Sequence, residues 1–319
     1  MNTSKLIKKY FPYLFENNIT LITLKKWTLT NIIGSNSKEY LQNQITIDVN
    51  KLDSNHAICA HCNINGKVWS NLRIFKFCEN NYMYLQRKST SNLQIQELKK
   101  YSIFSKIKIF NNINMLCLGI IGKEAQTELS KYFQNFPKKN SSVYRQDNII
   151  LLKFDFPCER FLLISEKNNI ILKKILQLTK KTNNDLWLTL DIASNIPIIE
   201  KETSGKFLPQ SLNLEKLKGL DFKKGCYYGQ EMISKAHYKN LNKYNLSWIT
   251  TKSDTIIKVG EIIESKTKDK QWKNIGYVLA TSQINTKTKW IQAVIKKNIS
   301  NNDKIRIKNA TNKKIWIKS

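Results

Sequence analysis

The chain has 319 residues, 53 Lys and Arg against 24 Asp and Glu, and a net charge of +29. At roughly 150 residues per domain this length accommodates about two domains around a sizeable core, and the 41% hydrophobic, 24% charged composition excludes a disulfide-stapled miniprotein and a disordered chain. No apolar run approaches the roughly 18 residues needed to cross a bilayer, and the opening MNTSKLIKKYFPYLFENN lacks the apolar stretch of a signal peptide, so the expectation is a cytoplasmic protein with no membrane partner.

The excess of positive charge attracts polyanions, and nucleic acid or a polyglutamate-bearing ligand both qualify. Lysine supplies nearly all of it; the arginines are Arg73, Arg87, Arg145, Arg160 and Arg306. Arginine is the residue favoured for bidentate phosphate and guanine contacts. Its scarcity, beside an abundance of Asn and Ile, makes compositional drift the simpler source of the charge, with a tRNA-contacting surface as the alternative. The six cysteines, Cys59, Cys62, Cys78, Cys117, Cys158 and Cys226, are not densely spaced and read as reduced thiols.

In chain order, Asn36 followed by Glu39 predicts a capping-box helix carrying Tyr40, Leu41 and Gln44. Two strand-like runs then flank Asn65-Gly66, the dipeptide that best fits the positive dihedrals of a two-residue hairpin turn, which places Cys59 and Trp69 on paired antiparallel strands. Ser91 with Gln94 predicts the cap of a second helix through Leu98 and Tyr101. Strands follow at Ile107 to Phe110 and Met115 to Ile121, then a helix with Ala125, Leu129, Tyr132 and Phe133. Strands near Ile149 to Phe154 and Phe161 to Ile164 precede a helix bearing Ile171, Leu172, Ile175 and Leu178, which ends in the polar run Lys180 to Asp185. From Leu246 onward helical periodicity vanishes. Short segments at Leu246 to Thr250, Thr255 to Val259, Ile275 to Ala280, Trp290 to Ile295 and Lys304 to Ile307 predict a small antiparallel barrel or sandwich. The whole is an α+β chain dividing into residues 1–244 and 245–319.

The segment with the most chemistry is KGLDFKKGCYYGQEMISKAHY. Cys226 stands between Lys223-Lys224-Gly225 and Tyr227-Tyr228-Gly229-Gln230-Glu231, on a glycine-punctuated loop ahead of a helix start. Ammonium groups and a helix N-terminus both favour a thiolate; an inert cysteine on a tight turn is the structural alternative. Cys59-Ala60-His61-Cys62 has CxxC spacing with His56 nearby. In a strand, residues three apart face opposite ways and no second CxxC completes a zinc site, so a structural role is expected and no metal. His237 could pair with Cys226 or be a solvated helix histidine. The Lys296 to Lys314 stretch reads as solvated loops. No phosphate-cradling glycine loop, Ser–His–Asp set or pair of catalytic carboxylates can be picked out.

The run Lys224-Gly225-Cys226-Tyr227-Tyr228-Gly229-Gln230-Glu231 resembles the KGCYxGQE signature of the YgfZ family, folate-binding proteins associated with tRNA modification and iron–sulfur enzyme maintenance. The resemblance extends to Phe207-Leu208-Pro209-Gln210-Ser211-Leu212, to Asn242-Lys243, to Tyr40 through Val49, and to Asn65-Gly66-Lys67-Val68-Trp69. It implies the fold of glycine-cleavage aminomethyltransferases, with α+β domains around a central channel and a small C-terminal antiparallel β-barrel. It also implies tetrahydrofolate as the ligand, with Trp27 and Trp187 at the positions of the folate-contacting tryptophans and Cys226 as the thiol at the same cleft. A flat indole suits a pterin ring; from the residues alone both tryptophans would be core. The aminomethyltransferase cousins use a carboxylate at the folate, and none can be placed here, Asp48 reading better as a cap. Folate-dependent aminomethyl transfer or demethylation, and a direct tRNA-binding scaffold, remain the alternatives to a folate-binding helper of iron–sulfur enzymes.

Overall fold

The computed structural model describes residues 3–16, 19–133, 136, 141–146, 148–179, 181–182, 185–252, 256–267, 269–299, 304–308 and 315–318. Three sheets organise them. The first is antiparallel, in the order Ala57–Cys62, Val68–Cys78, Asn81–Arg87, Trp27–Ile33, Lys108–Asn111. The second runs Lys181–Thr182, Thr20–Thr23, Met115–Ile121, Arg160–Glu166, Ile149–Phe154, Val143–Gln146, and only its first pair is parallel. The third, drawn wholly from residues after 243, runs Ile305–Ile307, Ile262–Lys266, Trp272–Asn285, Thr288–Lys296, Tyr244–Lys252, Ile315–Lys318.

The expected hairpin is present, but its loop is longer than a two-residue turn: the strands pair as far as Cys62 and Val68, the Asn63 amide donates to Lys67 O, and of the Asn65-Gly66 dipeptide only Gly66 has a positive φ, +67°, where glycine carries no Cβ penalty. Its strands are covered on both faces. Cys59, Leu72, Ile74 and Tyr84 pack with Tyr40, Leu41 and Leu98 from the helices Ser37–Gln44 and Lys88–Lys100. Ile58, Ala60 and Cys62 pack with Phe207, Leu212 and Leu214. Helix Ile170–Gln177 follows its apolar spacing: Leu172 and Ile175 are buried, Lys173 and Lys174 exposed, and Asn169 caps it by accepting from the Ile171 amide at 2.8 Å.

Several expectations need correcting. Asn36 starts the first of these helices without a side-chain cap bond; its amide oxygen accepts from Ser35 Oγ instead. The second begins at Lys88, a turn before Ser91. Ser91 Oγ donates to Asn111 Oδ1, and Gln94 is spent on Tyr84 and Gln86, so tertiary partners have displaced the capping role. Residues 256–258 form no strand, and the one beside them is Ile262–Lys266; Thr255 lies outside the described residues. The third sheet is an open ladder, with Ile305–Ile307 and Ile315–Lys318 at its two edges and no pairing between those edges among the described residues. Residues 300–303 and 309–314 of the basic C-terminal stretch, and Lys180, Asn183 and Asn184 of the polar run, fall outside the described residues.

One element has no periodic signal at all. Helix Asp185–Ala193 is buried at every position from Leu186 to Ala193, because it is packed from all sides. Thr189 Oγ1 meets Ser282 Oγ of the third sheet at 2.5 Å, and the Trp187 ring stands edge-on to Phe154 of the second, centroids 5.5 Å apart. Close approach to the second sheet requires a strand residue with no side chain. A Cβ on Gly119 of Met115–Ile121 would lie 2.6 Å from Trp187 Cε3. Gly119→Ala is therefore expected to destabilise the protein by about 1–3 kcal/mol through overpacking, read as a fall in the urea midpoint. The loss should largely vanish in a Trp187→Leu background, where the ring is gone.

Candidate functional site

Trp27 opens its strand where a turn bonds its amide to Leu24 O at 3.1 Å, and antiparallel register sets it opposite Arg87. Arg73 pairs with Ile58 on one side and Leu85 on the other. Strand alternation thus puts Ile58, Arg73, Leu85, Arg87 and Trp27 on one face of the first sheet. Trp187 comes to that face from the central helix. With Asn71, Gln86 and Asp191 these residues line a narrow cavity of about 30 Å³, room for roughly two waters. Trp27 is also a wall of a wider cavity of about 400 Å³, lined by Lys25, Lys88, Ser91, Asn111 and Asn112 among others.

Each tryptophan carries a guanidinium. Arg87 lies 4.2 Å from the Trp27 ring centroid and is held by Glu200, with Nε and Nη2 at 2.7 and 2.5 Å from Oε1; Ser89 Oγ donates to the other carboxylate oxygen. Arg160, with no exposed surface, lies 4.4 Å from the Trp187 ring and 5.0 Å from Phe154, and its Nη2 donates to Asp191 Oδ1 at 2.8 Å. Asp191 follows Trp187 by one helical turn, so both share a face. Around the narrow cavity several buried polar atoms lack a protein partner: Asn71 Oδ1, Gln86 Oε1, Arg87 Nη1 and, behind Trp187, Arg160 Nε and Nη1. An unmade bond at such atoms costs about 1–3 kcal/mol, and a polar ligand would relieve it.

The Cys226 loop is built elsewhere. The Asp221 amide donates to Thr46 O and the Tyr228 amide to Asn43 O. Between them Lys224 turns inward and its Nζ donates to Ile45 O and Ile47 O at 2.8 and 2.6 Å. Burial pushes that ammonium down to about 8, with Asp48 and Asp221 pulling the other way. Tying down Lys224 leaves Gly225 and Cys226 exposed at the crown. Gly229 sits at φ +83° against the hairpin turn, where a Cβ would come within 2.4 Å of Asn63 O, and starts helix Gln230–Tyr238. Tyr227 is buried beside Cys62, while the narrow cavity touches the same strand at Ile58. Four extended residues separate the two, about 13 Å. The two indoles thus share a cavity and Cys226 does not line it. His237 makes no pair with the thiol; its Nδ1 is 3.0 Å from Glu215 Oε1 and its ring stacks on Phe222. Asp48 is a cap, accepting from the Asn50 amide.

Cys59 and Cys62 lie in different cores on opposite faces of their strand, and burial raises both thiols, Cys59 to about 12. Among the described residues no group of three His, Cys, Asp or Glu is gathered for a metal. Asp191, Arg160, Arg87 and Asn71 are the site residues that sequence reasoning missed. For Asp191 a signal existed, a carboxylate four positions after a tryptophan in an otherwise apolar run; the others depend on strand register.

The comparisons agree with this architecture. A family model described as "YgfZ, beta-barrel domain" matches residues 242–310. The tRNA-modifying protein YgfZ of Buchnera aphidicola subsp. Baizongia pistaciae is 48% identical over 306 residues, covering 95% of this chain and 96% of that protein. That of Yersinia enterocolitica is 36% identical over 296 residues, covering 92% and 89%. Among solved structures, the glycine cleavage system aminomethyltransferase T from Bartonella henselae superposes with a TM-score of 0.75 at 12% identity, covering 98% of this chain and 88% of that one, and so shares the fold.

His61 gives the hairpin a pH signature. Its side chain is buried, 3.3 Å from Gln94 Nε2, and burial pushes its pKa down from 6.5 to about 4. Below pH 6.5 the unfolded chain takes up a proton that the folded chain refuses, so this contribution is intact above pH 6.5 and lost as pH falls toward 4. The stability difference between the protein and a His61→Gln variant should shrink by about 1.4 kcal/mol per pH unit across that window, measured by urea titration at stepped pH. A pH-independent difference would contradict it.

Proposed function

We propose that this chain, which belongs to the YgfZ family of tRNA-modifying proteins, binds a reduced folate between Trp27 and Trp187 and serves tRNA modification by supporting iron–sulfur enzymes of that process. The observation that carries the reading is the convergence of two indoles, remote in sequence, on one cavity whose lining holds unpartnered polar atoms. The chemistry of that lining fits a pterin, a flat ring with donors and acceptors along one edge. Asp191, Gln86 Oε1 and Asn71 Oδ1 offer acceptors to its N–H groups, and Arg87 Nη1 offers a donor to its carbonyl. The narrow gap alone is too small for the ring system. Because Trp27 is only half-buried and separates it from the 400 Å³ space, turning that side chain merges the two. Lys25 and Lys88 in the wider space attract the carboxylates of a glutamate tail.

A bound reduced folate supplies a carrier for one-carbon units. The protein's own part is to stack the ring, satisfy its edge and exclude water, with Arg87 and Arg160 fixing the two indoles from behind. In this reading the exposed Cys226 loop, set apart from the cavity, meets the client enzyme rather than the folate. A folate-dependent aminomethyl transferase or demethylase is the second reading, and Asp191 favours it, being a carboxylate in the cavity lining. Arg160 already engages that carboxylate, which is why binding is preferred.

Calorimetric titration with tetrahydrofolate tests the binding. Trp27→Ala and Trp187→Phe should each weaken it by roughly tenfold or more, a stacked ring contributing about 1–3 kcal/mol; unchanged affinity in both variants would refute the site. For the second reading, Asp191→Asn should abolish turnover of an aminomethyl adduct on tetrahydrofolate; because it also takes the counter-ion from buried Arg160 and lowers stability, turnover is compared at a temperature where circular dichroism shows the variant still folded. No turnover by the unaltered protein would remove it.

A further inference from the structure

A third cavity, of about 450 Å³, takes Lys67 of the hairpin turn into its lining and shares no lining residue with the two cavities at the indoles, and nothing in the folate reading uses it. Its size is that of a small-molecule site, for which about 300–1,000 Å³ is usual. The walls are aromatic and apolar: Phe207, Leu208, Tyr244 and Tyr277, with the Phe207 and Tyr277 rings 5.9 Å apart. The rim is cationic, with Lys67 from the hairpin, Lys206 from the loop before Phe207, and Lys243 from the link into the third sheet. No acidic residue lines it, and none of the three lysines makes an ion pair among the described residues. Lys67 is half-buried, and desolvation lowers its pKa without a carboxylate to offset the cost. The frame is preformed. Phe207 O accepts from the Val68 amide at 2.9 Å, Ser211 Oγ bonds Asn242 Oδ1 at 2.7 Å, and the same Asn242 oxygen accepts from the Tyr244 amide at 3.1 Å.

We propose that this cavity is a binding site for single-stranded RNA, taking one unpaired base against Phe207, Tyr244 and Tyr277 while Lys67, Lys206 and Lys243 hold successive phosphates. Three observations favour this ligand. Aromatic walls under a rim of lysines are the general recipe for sequence-tolerant single-strand binding. The lysines come from three separate chain segments, which suits a run of phosphates better than one anion. Lys67 stands half-buried at the mouth with no carboxylate in an ion pair with it among the described residues, which leaves its ammonium available to a phosphate. The proposal deepens the tRNA side of the reading above and shares no residue with the folate cavity, so either can fail alone.

Fluorescence anisotropy with a fluorescein-labelled oligouridylate of about 12 nucleotides, at stepped KCl, tests it. Lys67→Glu/Lys206→Glu/Lys243→Glu should weaken binding at least tenfold and flatten the log–log salt slope by about 2, single strands losing about 0.7 per phosphate contact. A control set on other exposed lysines, Lys123→Glu/Lys173→Glu/Lys174→Glu, changes net charge equally and should leave both quantities nearly unchanged. Circular dichroism spectra and urea midpoints should be preserved in both sets, which reports that each still folds whatever the outcome of the folate titration. Equal losses in the two sets would mean bulk charge alone and overturn the site, as would no loss in the first. With 4-thiouridine in the oligonucleotide, photocrosslinks should map to Tyr244 or Tyr277 and be displaced by excess unlabelled oligouridylate. Displacement by uridine monophosphate at comparable concentration would overturn the RNA assignment in favour of a free nucleotide.

Discussion

A guanidinium withdrawn wholly from water must find a carboxylate, and the way Arg160 meets this demand fixes the helix that carries Trp187 and Asp191 to the site. Its partner Asp191 lies on the helix Asp185–Ala193, while Arg160 itself opens the strand Arg160–Glu166. Separating the pair would strand a buried charge at a cost of roughly 3–5 kcal/mol. The pair therefore pins the helix to the second sheet in one rotation and one register. That rotation presents Trp187, one turn earlier, with its ring against Arg160 and Phe154 and its edge over the vacancy at Gly119. Apolar packing would keep such a helix buried, yet an element that is hydrophobic on all sides has no preferred face. The ion pair supplies one.

The first sheet answers with a parallel device that is less deeply buried. Arg87 is stacked on Trp27 and tethered by Glu200, so each indole that lines the narrow cavity carries a guanidinium held by a carboxylate. The two indoles differ in burial. Trp187 is almost completely enclosed, with 2% exposure, whereas Trp27 is half-buried between a narrow cavity and a wide one. In the proposed folate reading, the enclosed Trp187 forms the inner wall and the half-buried Trp27 the outer one. The orphaned oxygens of Asn71 and Gln86 mark where the protein has left bonding capacity unspent.

Positive charge on this chain is not a single feature. Lys224 is consumed structurally, donating to two backbone carbonyls beneath the Cys226 loop. Others are engaged in exposed ion pairs such as Lys100 with Glu97 and Lys131 with Glu128, which contribute little to stability. Lys67, Lys206 and Lys243 differ from both groups in surrounding an aromatic hollow without acidic neighbours. Net charge can attract a polyanion from a distance, but only such a local arrangement can hold one in register.

Much of this was legible in the amino-acid order alone, for a definite reason. Turn chemistry and apolar alternation act within a few residues, so the Asn65-Gly66 hairpin, the strands Met115–Ile121 and Ile149–Phe154, and the helix after Gly229 could be read directly. The octapeptide around Cys226 was likewise sufficient to indicate the family. Local signals failed where long-range partners outbid them: Ser91 and Gln94 gave up capping for tertiary bonds, and the helix carrying Trp187 had no periodicity because every face of it is packed. What only the tertiary structure decided was which side chains meet. Trp27 and Trp187 share a cavity because strand register and a buried ion pair bring them there, while Cys226 is held apart because Lys224 anchors its loop to the carbonyls of Ile45 and Ile47. Spacing along a chain carries no information about distances set by contacts between segments more than a hundred residues apart.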